Sequence, residues 1–177
     1  MKRLLVDVNV ILDAILDRPP HSEAAARLWT LAETKDVEAL VPAHGIATVF
    51  YVLARARDPA AARRAVERIV GTFGVASVDA AVIRRALALT WPDFEDSVCA
   101  GAAEAAGCDA LVTRDPSGFP DSPLPVVDPL TALALLSSGG PERVAEEAAA
   151  YGGLHSGGAR QRARRRAGRP RQSRRRR

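Results

Sequence analysis

The sequence predicts a doubly wound α/β fold: a three-layer α/β/α sandwich around a short, mostly parallel sheet of about five strands. Three observations lead there. Short apolar runs recur along the 177 residues, as strands buried on both faces require. Each run is followed by a segment with apolar residues at helical spacing, and strands alternating with helices build a parallel sheet covered on both sides. Proline, glycine and aspartate fall between these segments, where turns and helix starts need them.

Leu4 to Val6 is the first strand, and Val8 to Leu16 carries the first helix. Pro19 and Pro20 break the chain, and Ser22 is placed to cap a helix through Lys35 on which Ala25, Leu28, Trp29 and Ala32 share a face. Ala39 to Val41 is the second strand, stopped by Pro42. Ala43 to Arg57 resumes helical spacing, with Ile46, Val49, Phe50 and Leu53 on one stripe and arginines at its end, where the helix dipole favours cations. Asp58-Pro59 opens a helix to Val70, because proline suits a first turn, and Gly71 and Gly74 bracket its stop. Val75 to Val78 is the third strand. Asp79 caps a helix that Trp91-Pro92 ends. Asp93 to Ala106 reads as a helix rich in small residues with Gly107 beyond its end, followed by a strand Ala110 to Thr113. Val126-Val127 is the last strand and Pro129 to Leu136 the closing helix.

The expected domain is residues 1–137, with a helix-prone extension at 138–151 and a disordered arginine-rich tail at 152–177. Charge divides the same way. The formal net of +4 hides a tail, Arg160 to Arg177, holding 11 of the 25 basic residues, so residues 1–159 carry 14 basic against 21 acidic, a net of −7. An acidic body does not attract nucleic acid over its whole surface; binding needs a local basic lip or metal ions. The tail reads either as a contact to RNA phosphates or an acidic partner, or as a solvated extension. Cys99 and Cys108, set among small apolar residues, suit reduced thiols inside a cell. The apolar run at the N-terminus is too short for a signal peptide or membrane span, so the expectation is a soluble cytoplasmic protein.

The chemistry lies in the acids. Asp7 follows the first strand, Asp96 opens the late helix within Asp-Phe-Glu-Asp, and Asp115 follows the fourth strand within Leu-Val-Thr-Arg-Asp. Singly, each has an ordinary role. Asp7 and Asp93 suit N-caps, Asp96 a first turn facing the helix dipole, Asp115 a turn, and Asn9 a turn residue. Together they stand where parallel strands end on one edge, which is where open α/β sheets build their sites. Carboxylates gathered there repel by about 1 kcal/mol or more per close pair, which Mg²⁺ or Mn²⁺ would offset. Oxygen donors without a His or Cys cluster favour these hard cations over zinc. His21, His44 and His155 share no ligand spacing and read as solvated surface groups. No Gly-Lys-Ser/Thr phosphate loop and no Gly-x-Ser-x-Gly elbow occurs.

Leu-Leu-Val-Asp7-Val-Asn9-Val, Asp93-Phe-Glu-Asp96 and Val-Thr113-Arg114-Asp115, in that order, resemble the PIN domain family, including the VapC-type ribonuclease toxins of bacterial toxin-antitoxin systems. The resemblance covers residues 3–136. It implies an α/β/α sandwich, a Mg²⁺ or Mn²⁺ site and single-strand-selective endoribonuclease activity. Carried over by position, Asp7, Asp96 and Asp115 bind metal and act in catalysis, while Asn9 and Thr113 orient carboxylates or water by hydrogen bonding. Arg114 is placed to contact substrate phosphate. The departure is Thr48, in Gly-Ile-Ala-Thr-Val-Phe-Tyr, where many members carry a Glu; Asp93 and Glu95, flanking Asp96, are the acids placed to compensate.

The leading expectation is therefore a metal-dependent endoribonuclease acting on RNA, with a cognate antitoxin and a homodimer as candidate partners. Helix Ala43 to Leu53 serves either a dimer face or ordinary core packing. The alternative is a catalytically weak PIN-fold module that binds RNA or protein. A phosphohydrolase using Asp7 as nucleophile fits less well, because position 9 is Asn and no suitable lysine motif follows.

Overall fold

The computed structural model describes residues 2–137. The extension and the tail expected at 138–151 and 152–177 lie outside the described residues. Five parallel strands form one sheet in the order β3-β2-β1-β4-β5: β1 Arg3–Val6, β2 Glu38–Pro42, β3 Gly74–Ala76, β4 Ala110–Val112 and β5 Val126–Val127. Among the described residues, seven helices flank it: α1 Val8–Leu16, α2 Ser22–Glu33, α3 Ala43–Ala56, α4 Pro59–Thr72, α5 Ala80–Leu89, α6 Phe94–Ala105 and α7 Pro129–Ser137. A 3₁₀ turn spans Pro116–Gly118.

Strand alternation sends Leu5 and Leu111 to one face, where they pack with Val98, Cys99, Ala102 and Ala103 of α6 and Val82 of α5. Small residues let these helices approach closely. A Cβ on Gly101 would stand 3.3 Å from the Val82 carbonyl oxygen. Both cysteines are buried and free, and no described helix is long and apolar enough to cross a membrane.

Strand order places the site. From β1 the chain crosses to β2 on one side, whereas β4 lies on the other, so the connections diverge at the β1/β4 junction. Open α/β sheets leave a crevice at such a point. The register pairs Val6 with Val112, and the Asp7 N–H donates to the Val112 carbonyl at 2.9 Å. Asp7 and Thr113 thus leave the sheet side by side.

Two helix-end expectations need correction. Ser22 does not cap α2: His21 precedes the helix with helical backbone and no side-chain bond, and the Ser22 N–H is already taken by the Arg18 carbonyl. Helix α4 runs through Gly71 to Thr72, since an exposed position tolerates glycine there without breaking the ladder. Asp58 and Asp79 cap α4 and α5 as expected, and Gly107 takes the left-handed conformation beyond α6 (φ 63°).

Candidate metal centre at the strand edge

Asp7 precedes α1 in extended geometry, yet its carboxylate makes no capping bond to that helix. It accepts instead from the Thr113 hydroxyl at 2.7 Å. Thr113 is fully buried, and its oxygen also accepts from Asn9 Nδ2 at 2.9 Å and from the Asp115 N–H at 3.2 Å. Asn9 Oδ1 in turn accepts from the Arg114 N–H at 3.1 Å. This network ties the start of α1 to the loop after β4 and fixes the orientation of Asp7.

The third acidic segment comes from α6. Asp93 caps that helix, accepting from the N–H groups of Glu95 at 2.8 Å and Asp96 at 3.3 Å. Its carboxylate is thereby committed to holding the first turn, on which Asp96 stands. The loop after β4 closes against Asp96: a Cβ on Gly118 would lie 2.6 Å from Asp96 Oδ2, so a larger residue there would displace that carboxylate. Asp115, which caps the 3₁₀ turn by accepting from the backbone and hydroxyl of Ser117, arrives on the same loop.

Convergence shows in the electrostatics. Burial, followed by the charges of Asp93, Asp7, Asp115 and Glu95, pushes the Asp96 pKa up to about 7. Burial also raises Asp7, against the lowering effect of the Thr113 hydrogen bond. Carboxylates that suppress one another's ionisation would be relieved by a neutralising cation. Among the described residues no three His, Cys, Asp or Glu side chains already form a group able to hold a metal ion. The donor chemistry nonetheless fits a hard dication: oxygen ligands only, like charges converging on one edge, and Asp7 oriented by a hydroxyl that leaves its other oxygen available. Side-chain rotation would have to complete the coordination.

Sequence reasoning missed two features. Asp13, on α1, is fully buried, and Arg114 Nη1 bonds both of its oxygens, at 3.0 and 3.3 Å, with Arg18 at 3.8 Å. The residue assigned to substrate phosphate is thus anchored from behind while 38% of its side chain stays exposed. The signal was a lone acid inside the apolar run Val8 to Leu16. The second feature is His44, read as solvated. It is partly buried, its Nδ1 is buried without a hydrogen-bond partner, and burial lowers its pKa against the opposing charge of Glu95. Glu95, one of the two acids the sequence offered beside Asp96, accepts at Oε1 from the Thr48 hydroxyl at 3.4 Å.

A cleft of about 470 Å³ between α1, α2 and α4, with Arg57, Arg64, Arg68 and Trp29 among its walls, contains none of these acids. Arg68 there pairs with Glu33 and stacks on Trp29. The carboxylates that raise one another's pKa stand at the strand edge and not in this cleft.

The PIN domain family model matches residues 3–117 of the chain, spanning β1, the Asp93-Phe-Glu-Asp96 turn and the Thr113–Asp115 loop. The protein belongs to the PIN domain family. Solved structures share the fold. DNA-bound VapBC from Salmonella typhimurium is 17% identical, with 73% of this chain and 99% of that chain covered and a TM-score of 0.59. VapBC2 from Rickettsia felis, bound to a promoter DNA fragment, is 16% identical over 71% and 98%, with a TM-score of 0.57. VapC20 from Mycobacterium tuberculosis, a toxin cleaving the sarcin-ricin loop, is 18% identical over 65% and 92%, with a TM-score of 0.54. No curated protein matches this PIN domain chain.

Proposed function

We propose that this PIN domain is a metal-dependent endoribonuclease. The observation carrying the proposal is the convergence of Asp7, Asp96 and Asp115 at one strand edge, where burial and then the charges of neighbouring acids push the Asp96 pKa up to about 7. A bound Mg²⁺ or Mn²⁺ would supply activation of water and neutralisation of phosphodiester charge. The chain's own groups do the positioning. Thr113 fixes Asp7, Asp93 fixes the turn bearing Asp96, and the Asn9–Arg114 bond fixes the loop bearing Asp115. Arg114, braced by Asp13, offers the exposed part of its guanidinium to a substrate phosphate. The VapBC complexes among the structural neighbours support a cognate antitoxin as partner and a toxin role.

A second reading, a PIN-fold module that binds RNA or protein with little or no turnover, is favoured by Thr48 and by the incomplete ligand geometry. One experiment separates them: incubation of purified protein with single-stranded RNA and Mn²⁺. The nuclease reading expects cleavage that chelation stops and that Asp7→Asn lowers by about two orders of magnitude or more. RNA retention without cleavage, unchanged by Asp7→Asn, would favour the binding module.

A further inference from the structure

Of the two acids flanking Asp96, geometry separates what spacing leaves equivalent. Asp93 is turned back onto its own helix, accepting two backbone N–H groups. Glu95 is turned outward, across to α3. Helix α3 is brought in by Gly45, where a Cβ would overlap the side chain of Val8, the residue next to Asp7. Residues four apart share a helix face, so His44 and Thr48 lie one above the other on α3. Thr48 reaches Glu95, and the same face carries the buried His44 Nδ1 that no protein group satisfies. A buried ring nitrogen without a protein partner is where an ordered water or an ion's hydration shell belongs.

We propose that Glu95 is the fourth carboxylate of the centre, reaching from α6 to the place on α3 where Thr48 stands, with the Thr48 hydroxyl positioning it. The inference rests on the metal-centre reading above. It also accounts for the threonine. An acid at position 48 would face Glu95 within hydrogen-bond reach, and two carboxylates so close would repel, so one acid serves both helices. Glu95 needs its extra methylene, relative to aspartate, to span from the first turn of α6 to α3.

The test is a calorimetric Mn²⁺ titration of the full chain, with Mn²⁺ paramagnetic resonance as a second readout, so that metal binding is scored apart from activity. Glu95→Gln is expected to weaken binding about tenfold or more, and Thr48→Ala by several-fold. Glu104→Gln, on the same helix but paired with Arg85, is the charge control and is expected to bind as the parent does. Thr48→Glu combined with Glu95→Thr is expected to recover most of the affinity, because the acid is resupplied from α3. Parent affinity in Glu95→Gln would overturn the assignment, as would a double substitution no better than Glu95→Gln alone. A parent protein that binds no Mn²⁺ would instead overturn the metal-centre reading beneath it.

Discussion

Asp58 and Asp7 each precede a helix from extended backbone, and their carboxylates end in opposite situations. Asp58 accepts the Ala61 N–H at 2.7 Å, and Asp79 likewise accepts from Ala81 and Val82 at the start of α5. Those backbone bonds hold Asp79 below the usual carboxylate range. The Asp7 carboxylate makes no capping bond to its helix, accepts instead from the Thr113 hydroxyl just beyond β4 and has its pKa raised by burial. At the caps, each acid is matched by donors that the chain supplies. At the strand edge, acids mostly face other acids, and Asp96 carries the consequence. The same residue type serves the fold in one region and, on the proposed reading, holds the metal in the other.

Arg114→Ala should give the largest effect on folding. It leaves buried Asp13 with Arg18 alone, at 3.8 Å, and urea unfolding should show a loss of about 2–3 kcal/mol. Adding Asp13→Asn should recover most of it; no loss in the single variant would mean Asp13 is not held as described. Thr113→Val removes the donor to Asp7 and the acceptor for Asn9 and Asp115. Mn²⁺ affinity and RNA cleavage should both fall about 10- to 100-fold.

The contrast between caps and strand edge is sharpest in a crossed pair. Asp58→Ala should cost about 1 kcal/mol of stability and leave Mn²⁺ affinity unchanged. Asp7→Asn should remove the affinity while leaving the melting temperature equal or higher, because a repelling charge is gone. Equal effects from the two would erase the distinction.

A further effect is in pH. Asp96 has a folded pKa of about 7 against an ordinary value of 3.8, so the folded state holds the extra proton between those values. Stability of the metal-free protein should therefore fall as pH rises from about 4 to about 7. Asp96→Asn should flatten that part of a melting curve series, and an unchanged slope would place the raised pKa elsewhere.

Much of this was legible from sequence because it depends on local order. A buried run followed by aspartate marks a strand end, so Asp7 and Asp115 could be placed at the edge before any pairing was known. Asp93 could be read as a cap from its distance to the helix start. What stayed hidden depends on contacts between distant segments. Asp13 drew no reading from its place in an apolar helix, because its charge partner, Arg114, comes from the loop after β4. His44 looked solvated because nothing local signals that α3 is pressed onto α1 at Gly45. Glu95 and Asp93 could not be told apart by spacing, since only the position of α3 decides which one has a partner. Ser22 failed as a cap because the residue before it already follows helical backbone.

The measurement that bears most directly on the metal centre is a calorimetric Mn²⁺ titration of the parent protein and Asp96→Asn side by side, with melting temperatures recorded along the titration. The acids converging at the strand edge should give the parent a saturable site and a rising melting temperature, both lost in Asp96→Asn. No binding by the parent at millimolar Mn²⁺, or equal binding by the two proteins, would contradict the assignment.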